Sequence, residues 1–161
     1  MTDLETIPLT TLDGRTTTLA EWSGKTKLIV NVASRCGLAP QYEQLEQLQR
    51  TYGERGFTVI GFPSNQFLQE YGDNDKIAAY CSATWGVTFP IMDRIRVNGR
   101  HRHPLYKELV ATPDAEGKAG NIKWNFEKFL VAPDGHVTRF RPKTVPDDPK
   151  VIAALEASLP S

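Results

Sequence analysis

The chain of 161 residues has few cysteines, only Cys36 and Cys81. Small secreted proteins that cannot build a large core are commonly stapled by several disulfides. Two cysteines cannot supply such a framework, so we expect a cytoplasmic protein in a reducing compartment. In that setting a pair of cysteines is more often reactive or incidental than structural.

Net charge and long apolar runs are also absent. Lys and Arg total 19, Asp and Glu total 19, and the formal net charge is +0. This balance argues against a nucleic-acid partner and against a membrane-surface protein. No apolar run approaches the roughly 20 residues that span a bilayer. The first residues, MTDLETIPLT, lack the basic and apolar regions of a signal peptide.

The hydrophobic periodicity predicts strands and helices in alternation, within one domain over residues 1–161. The strand, helix and strand that follow the first hairpin imply a right-handed βαβ unit with a parallel strand pair. We therefore predict an α/β protein with a central mixed sheet flanked by helices and an N-terminal β-hairpin, for which a thioredoxin-like fold is one of the few suitable architectures. The predicted elements are a hairpin at 7–19, a strand at 27–34, a helix at 40–55, a strand at 57–62, a helix at 74–85, a strand at 88–97, a helix at 104–110, a hairpin at 129–140 and a helix at 149–159.

Cys36 occupies the most informative position in this pattern. It directly follows the apolar stretch KLIVNVASR and precedes the helix predicted from Pro40. Backbone N–H groups are unpaired at a helix start, and the helix dipole favours negative charge there. A thiol in that position tends to become a thiolate, the nucleophilic form. Taken alone, Cys36 is equally compatible with a small buried core residue.

Three longer motifs give this cysteine a family context. The segment NVASRCG at 31–37 resembles the signature of the glutathione peroxidase family around its redox-active cysteine or selenocysteine. GFPSNQF at 61–67 and IKWNFEKFLV at 122–131 are similar to the second and third signatures of that family. GVTFP at 86–90 and HPLY at 103–106 agree as well, so the resemblance covers nearly the whole chain.

The resemblance implies a peroxidase in which Cys36 attacks the peroxide and no metal or organic cofactor takes part. Trp124 and Asn125 match the family's active-site tryptophan and asparagine within WNF. The family's glutamine is best matched by Gln69, with Gln66 as the second choice. The loop is one residue shorter than usual, and Tyr71 stands where the family usually has Pro.

Cys81 decides which branch of the family the chain resembles. Ser64 stands where many relatives have a cysteine, and the place of Cys81 ahead of GVTFP is similar to that of the resolving cysteine in thioredoxin-dependent members. The resemblance thus implies hydrogen peroxide and organic hydroperoxides as substrates, with thioredoxin as the reductant. A glutathione-dependent peroxidase, a peroxide sensor that oxidises a partner protein, and a Cys81 that is merely packed in the core remain open.

Two structural expectations accompany this interpretation. The helix at 74–85 is predicted to present Ile77, Tyr80, Cys81 and Thr84 inwards and to unwind or shift when Cys81 bonds to Cys36, because a disulfide requires Cα atoms within roughly 7 Å. The loop at 112–120 is shorter than the insertion typical of tetrameric relatives, so we expect a monomer or weak dimer.

Other polar residues are given plainer interpretations. His101 and His103 are expected in a solvated turn, since no third metal ligand is evident. Arg139, Arg141 and Lys143 are expected on a solvated face, with the steering of an anionic substrate or reductant as the alternative. Arg35 lies next to Cys36 in the sequence, but strand alternation is expected to point it away.

Overall fold

The computed structural model describes residues 3–160, and a four-stranded mixed sheet forms its centre. The strands are β3 (Thr26–Val32), β4 (Phe57–Pro63), β5 (Lys128–Val131) and β6 (Val137–Phe140), and their order across the sheet is β4-β3-β5-β6. β3 and β4 are parallel, with Leu28 opposite Val59, whereas β5 runs antiparallel to both β3 and β6. The predicted parallel pair and the C-terminal hairpin are confirmed.

Helix α1 (Gln41–Tyr52) connects β3 to β4, as the βαβ prediction requires. A 3₁₀ turn, Gly53–Arg55, continues it to the end predicted from the sequence. The remaining helices are α2 (Asn74–Tyr80), α3 (Pro104–Leu109) and α4 (Pro149–Ser158). The N-terminal hairpin is formed by β1 (Leu9–Thr10) and β2 (Thr16–Thr17), with Leu9 opposite Thr17.

Each face of the sheet is covered by its own apolar cluster, because alternate side chains of a strand point to opposite faces. One cluster joins β3 and β4 to α1, α2 and α4 and includes Leu28, Val30, Tyr42, Leu45, Val59, Ile77, Cys36, Cys81 and Leu155. The other joins the sheet to α3 and the N-terminal segment and includes Ile7, Leu19, Ile29, Ile60, Phe62, Leu105, Tyr106 and Phe129. Both cysteines therefore lie on the same side of the sheet.

The prediction of a strand within 88–97 is wrong. Within the described residues this segment makes only two isolated bridges, from Ile91 to Gly61 and from Met92 to Thr11. Pro90 has no N–H to donate, and its carbonyl accepts the Gly61 N–H at 2.9 Å. A Cβ at Gly61 would lie 2.9 Å from the Ile91 side chain, so glycine is what lets the segment approach β4.

The helix predicted at 74–85 changes its geometry halfway. The α-helix ends at Tyr80, and Cys81–Trp85 forms a π-helical turn that closes at Gly86 in a left-handed conformation. The wider turn rotates Thr84 out to solvent, which corrects the prediction that Thr84 lies on the inner face. Ile77 and Cys81 are the two buried residues of Asn74–Trp85.

No helix between residues 3 and 160 combines the length and apolarity needed to cross a bilayer.

Candidate active site

Cys36 lies in a series of turns between β3 and α1 and is 5 % exposed. Helix α1 begins at Gln41, one residue after the predicted start at Pro40, so Cys36 precedes the helix as expected. The amide donor expected from a helix start is present, since the Leu38 N–H reaches the Cys36 Sγ at 3.3 Å. The Cys36 carbonyl accepts the Ala39 N–H at 2.9 Å, which fixes this turn.

A second donor reaches the same sulfur from another part of the chain. The indole Nε1 of Trp124 lies 3.2 Å from the Cys36 Sγ. The Trp124 ring also packs against Phe67, with 5.3 Å between the ring centroids, and remains 37 % exposed. The structure thus brings together Cys36 and Trp124, which the motifs had matched separately.

Asn31 positions Trp124 and was missed by the sequence analysis. Its side-chain amide donates to the Trp124 carbonyl at 3.2 Å, and its side-chain oxygen accepts the Glu127 N–H at 3.0 Å. Its backbone carbonyl accepts the Phe126 N–H at 2.6 Å. A buried asparagine within the apolar run of β3 was the available signal, because buried polar groups must find partners.

Asn125 lies at the tip of the turn that Asn31 holds. It is fully buried, and neither atom of its side-chain amide has a hydrogen-bond partner among residues 3–160. The next residue, Phe126, has a φ of 66°, a left-handed conformation that reverses the chain into β5. The Asn125 amide is therefore held in the interior with its hydrogen-bonding capacity unused by the protein.

Lys128 holds this turn through hydrogen bonds from its side chain to backbone carbonyls. Its Nζ donates to the carbonyls of Phe126, at 2.6 Å, and Pro142, at 3.1 Å. Burial lowers the pKa of this lysine to about 7, and the nearby charge of Glu127 offsets only part of the effect. A neutral amine with two carbonyl acceptors can stay in the core at little electrostatic cost.

The two candidate glutamines have different surroundings. The Gln66 side chain accepts the N–H groups of Val97 and Asn98, at 2.6 and 2.9 Å, and donates to the Asn98 carbonyl at 2.7 Å. Through these bonds Gln66 holds its loop against the segment that follows Met92. Gln69 is held through its backbone, whose carbonyl accepts the Arg35 N–H at 2.7 Å, and its side chain is half-buried.

Glu70 ties the same loop to the cysteine turn. Its Oε1 accepts the N–H groups of Ser34, at 3.1 Å, and Tyr71, at 2.8 Å. The residue is 3 % exposed, and burial raises the pKa of its carboxyl although these N–H groups oppose the shift. The motifs indicated no role for Glu70, although its charge next to Gln69 is visible in the sequence.

Cys81 is buried and reduced. It is 3 % exposed, it is a free thiol like Cys36, and burial raises its pKa to about 11. It lies at the junction between α2 and the π-helical turn, where its carbonyl accepts the Val87 N–H at 3.1 Å. In this conformation the thiol is protonated and enclosed.

The basic residues at the end of β6 do not form the solvated face that was expected. The Arg139 side chain is fully buried, pairs with Glu127 and donates to the carbonyls of Thr112 and Gly120 at 3.0 and 2.8 Å. Arg141 pairs with Asp114 at 2.9 Å. A buried arginine must be paired, so Arg139 organises the 112–120 loop, and only Lys143 is exposed as predicted.

Beside Cys36, a surface cavity of about 840 Å³ extends from Trp124 toward this loop. Its apolar wall includes Gly37, Leu38 and Trp124. Its rim carries Lys118, Lys123, Arg141 and Lys143, with Asp114 and Glu116 as the acidic residues. Arg141 pairs with Asp114 and Glu127, and Lys118 pairs with Glu116 at 3.7 Å, which leaves the exposed Lys123 and Lys143 beside the apolar wall.

The remaining predicted polar residues take structural positions. The His103 Nδ1 accepts the Leu105 N–H at 3.1 Å and caps α3. The Arg35 guanidinium lies over the Tyr71 ring, 5.9 Å from its centroid. Between residues 3 and 160, no group of three or more His, Cys, Asp or Glu side chains is placed to hold a metal ion.

Known structures show the same fold. The crystal structure of Trgpx in apo form is 35% identical, with a TM-score of 0.75 over 99% of this chain and 100% of that one. A thiol:disulfide interchange protein of the thioredoxin family from Chlorobium tepidum, 20% identical, has a TM-score of 0.65 over 94% of this chain and 92% of the other. The predicted thioredoxin-like fold is confirmed.

Sequence relatives identify the family. The thioredoxin/glutathione peroxidase BtuE of Escherichia coli is 49% identical, covering 92% of both chains. The hydroperoxy fatty acid reductase gpx1 of Synechocystis is 47% identical, covering 80% of this chain and 79% of the relative. Residues 4–110 of this chain match the model of the glutathione peroxidase family. With Cys36 and Trp124 of its motifs in hydrogen-bond contact, this chain belongs to the glutathione peroxidase family and is a peroxidase.

Proposed function

We propose that the protein is a two-cysteine thiol peroxidase. Cys36 reduces hydroperoxides, Cys81 resolves the oxidised sulfur as a disulfide, and thioredoxin restores both thiols. The observation that carries the first step is the pair of N–H donors on one sulfur, from Leu38 and Trp124. Hydrogen bonds donated to a thiolate stabilise it, and the thiolate is the nucleophilic form.

In the first step the Cys36 thiolate attacks the distal oxygen of the hydroperoxide. The O–O bond breaks, the sulfur becomes a sulfenic acid, and the leaving oxygen takes up a proton to form an alcohol or water. Gln69 and Asn125 donate N–H groups to the peroxide oxygens as negative charge develops. This role is supported by the Asn125 amide, which is buried and has no protein partner among the described residues.

In the second step the Cys81 thiol displaces hydroxide from the sulfenic acid, and its proton leaves with that hydroxide as water. The buried thiol, with its pKa of about 11, is unreactive in the reduced conformation. The segment around Cys81 must therefore move first. The small number of buried residues in Asn74–Trp85 and the π-helical turn at Cys81 favour such local opening.

The reductant we propose is thioredoxin. A disulfide on a rearranged surface segment is open to attack by a dithiol protein, and thioredoxin's potential, near −270 mV, lets it reduce many such bonds. The E. coli relative BtuE is named a thioredoxin/glutathione peroxidase. Glutathione is accordingly the competing reductant in the test.

The substrates we propose include long-chain organic hydroperoxides. The cavity beside Cys36 joins an apolar floor at Leu38 and Trp124 to exposed lysines at its rim. Such a site suits a hydrocarbon chain that carries a carboxylate. The Synechocystis relative is named a hydroperoxy fatty acid reductase, which is consistent with this chemistry.

Peroxide turnover tests the proposal with two separate recycling systems, thioredoxin with its reductase and glutathione with its reductase. We expect the thioredoxin system to support turnover, Cys36→Ser to abolish it, and Cys81→Ser to react once with peroxide and then stop. Ser82→Ala, an exposed neighbour of Cys81, is the matched control and should turn over normally.

Two outcomes contradict the proposal. Full thioredoxin-dependent turnover by Cys81→Ser would reject Cys81 as the resolving residue. Oxidation by one equivalent of peroxide, without turnover in either system, would instead identify a peroxide sensor.

A further inference from the structure

Leu68 combines two features that are unfavourable for the fold. Its side chain is 81 % exposed, the highest value among the exposed large hydrophobic residues of the described chain. Its φ is 59°, in the left-handed region that residues with a Cβ rarely adopt. A single exposed leucine is unremarkable on a protein surface, but one held in this backbone conformation is rare.

The turn around Leu68 needs its backbone and not its side chain. The Leu68 N–H donates to the Asn65 carbonyl at 2.9 Å, and the Asn65 side chain accepts the Glu70 N–H at 3.0 Å. Any residue other than proline supplies that backbone N–H, and glycine would adopt the conformation at lower cost. The leucine side chain therefore contributes little to the folded structure.

Leu68 lies between two residues that are both fastened to the segments around Cys36. Its neighbour Phe67 packs on Trp124, whose indole reaches the Cys36 sulfur. Its other neighbour, Gln69, is bonded through its carbonyl to the Arg35 backbone. Of the three exposed large hydrophobic residues in the described chain, Trp124 contacts the reactive thiol, and Leu68 directly follows the Phe67 whose ring packs on Trp124.

Phe67 and Leu68 do not line the lysine-rimmed cavity, but Phe67 packs on Trp124, which does line it, and Leu68 is the exposed apolar residue next to Phe67. A hydroperoxide in the middle of a hydrocarbon chain has two arms that leave the reacting oxygen in different directions. With the carboxylate arm at the lysine rim, the other arm needs an apolar surface on the far side of Trp124. Phe67, packed on the Trp124 ring, and its exposed neighbour Leu68 are the apolar residues on that side of the loop.

We propose that Leu68 is a specificity-determining residue that contacts the hydrocarbon arm of long-chain hydroperoxides at Cys36. This proposal rests on the peroxidase cycle proposed above. It predicts that Leu68 matters for substrates with an apolar chain and is irrelevant for hydrogen peroxide, which is too small to reach it. The ligand is a fatty-acid hydroperoxide, since the cavity on the other side of Trp124 offers exposed lysines for its carboxylate.

The test compares the oxidation of reduced protein by hydrogen peroxide and by linoleic acid hydroperoxide. The loss of the Cys36 thiol is followed by rapid quenching and alkylation, so no reductant is involved. For Leu68→Ser and Leu68→Gly we expect the rate constant with the lipid hydroperoxide to fall about 5- to 10-fold, as expected when one leucine contact is lost. The rate constant with hydrogen peroxide should stay within about twofold.

Two further variants separate this role from a structural one. Leu68→Met keeps the apolar contact and should retain the lipid rate. Leu68→Gly should melt at a temperature at least as high as the parent, because glycine relieves the left-handed backbone. Loss of lipid activity in a protein of undiminished stability is a result that impaired folding would not produce.

Two results would overturn the proposal. The first is an equal loss of rate with both peroxides. The second is no loss with either peroxide, and a raised KM for thioredoxin in that case would assign Leu68 to reductant docking. If the parent protein reacts with neither peroxide, the underlying peroxidase cycle is refuted as well. That outcome differs from a failure specific to Leu68, in which the parent protein still reacts.

Discussion

The indole Nε1 of Trp124 donates a hydrogen bond to the Cys36 sulfur across 3.2 Å, although the two residues are 88 positions apart in the chain. The antiparallel pairing of β3 with β5 brings their segments together, and Asn31 of β3 holds the turn that carries the tryptophan. The sheet register thus determines the surroundings of the thiol.

Replacement of Trp124 by Phe should preserve the ring and remove the N–H donor. A hydrogen bond to a charged group contributes about 1.5–3 kcal/mol, so we expect peroxide to oxidise Cys36 about 10- to 100-fold more slowly. Stopped-flow measurement of the oxidation rate checks this. Trp22→Phe, in the apolar cluster on the opposite face, is the control and should leave the rate unchanged. An unaltered rate for Trp124→Phe would show that the indole N–H is dispensable.

Gln66 and Gln69 should differ in what their loss affects. Gln66→Ala removes three hydrogen bonds to the backbone of Val97 and Asn98, so we expect a loss of about 2–3 kcal/mol and a Tm lower by roughly 5–10 °C. Gln69→Ala should leave Tm within about 2 °C and slow peroxide reduction at least tenfold. Calorimetry and the oxidation rate together distinguish them. A slow but stable Gln66→Ala protein would reverse the assignment.

Local patterns predicted most elements of the fold. Apolar runs identified β3 and β4, and the three- and four-residue spacing of Tyr42, Leu45 and Leu48 identified α1. The segment 88–97 has strand-like composition, but Pro90 and two different bridge partners prevent a ladder. Pairing partners come from distant segments, so single-segment patterns cannot predict this outcome.

The candidate site was predictable in its residue types but not in its geometry. The motifs indicated Cys36, Trp124 and Asn125, yet nothing local revealed that Asn31 holds the WNF turn. Arg139 illustrates the same limit, since an arginine two residues from another looks solvated until its partner Glu127 is known. Partners for buried polar groups are set by tertiary contacts, and these were invisible to periodicity.

Lys128 should make stability depend on pH. Its pKa is about 7 in the folded protein and 10.5 in an ordinary lysine, so between these values the unfolded chain binds the extra proton. The free energy of unfolding should therefore rise with pH above 7, by up to about 1.4 kcal/mol per pH unit, and this stability is lost again as the pH falls toward 7.

The slope is best measured between pH 7 and pH 9. Above pH 9 the free energy of unfolding is lowered by Cys81, because its pKa is raised from 9.0 to about 11 in the folded protein. Urea unfolding at intervals across this window measures the slope. Lys128→Met should flatten it, whereas Lys143→Met, at an exposed lysine, should not. A slope that is equal in parent and Lys128→Met would assign the effect to another group.

The segment 74–85 should lose its helical structure when the disulfide forms. Cys81 is enclosed at the junction of α2 with the π-helical turn, and Ile77 is the other buried residue that anchors the segment. Hydrogen exchange should therefore show faster exchange of these amides after one equivalent of peroxide. The amides of α1, which packs into the apolar cluster through Tyr42 and Leu45, should stay protected. Cys81→Ser treated identically should retain its protection, since its sulfenic acid has no partner to form the disulfide. Protection that persists in the parent, with the disulfide verified by mass spectrometry, would mean that the two cysteines bond without unwinding the helix.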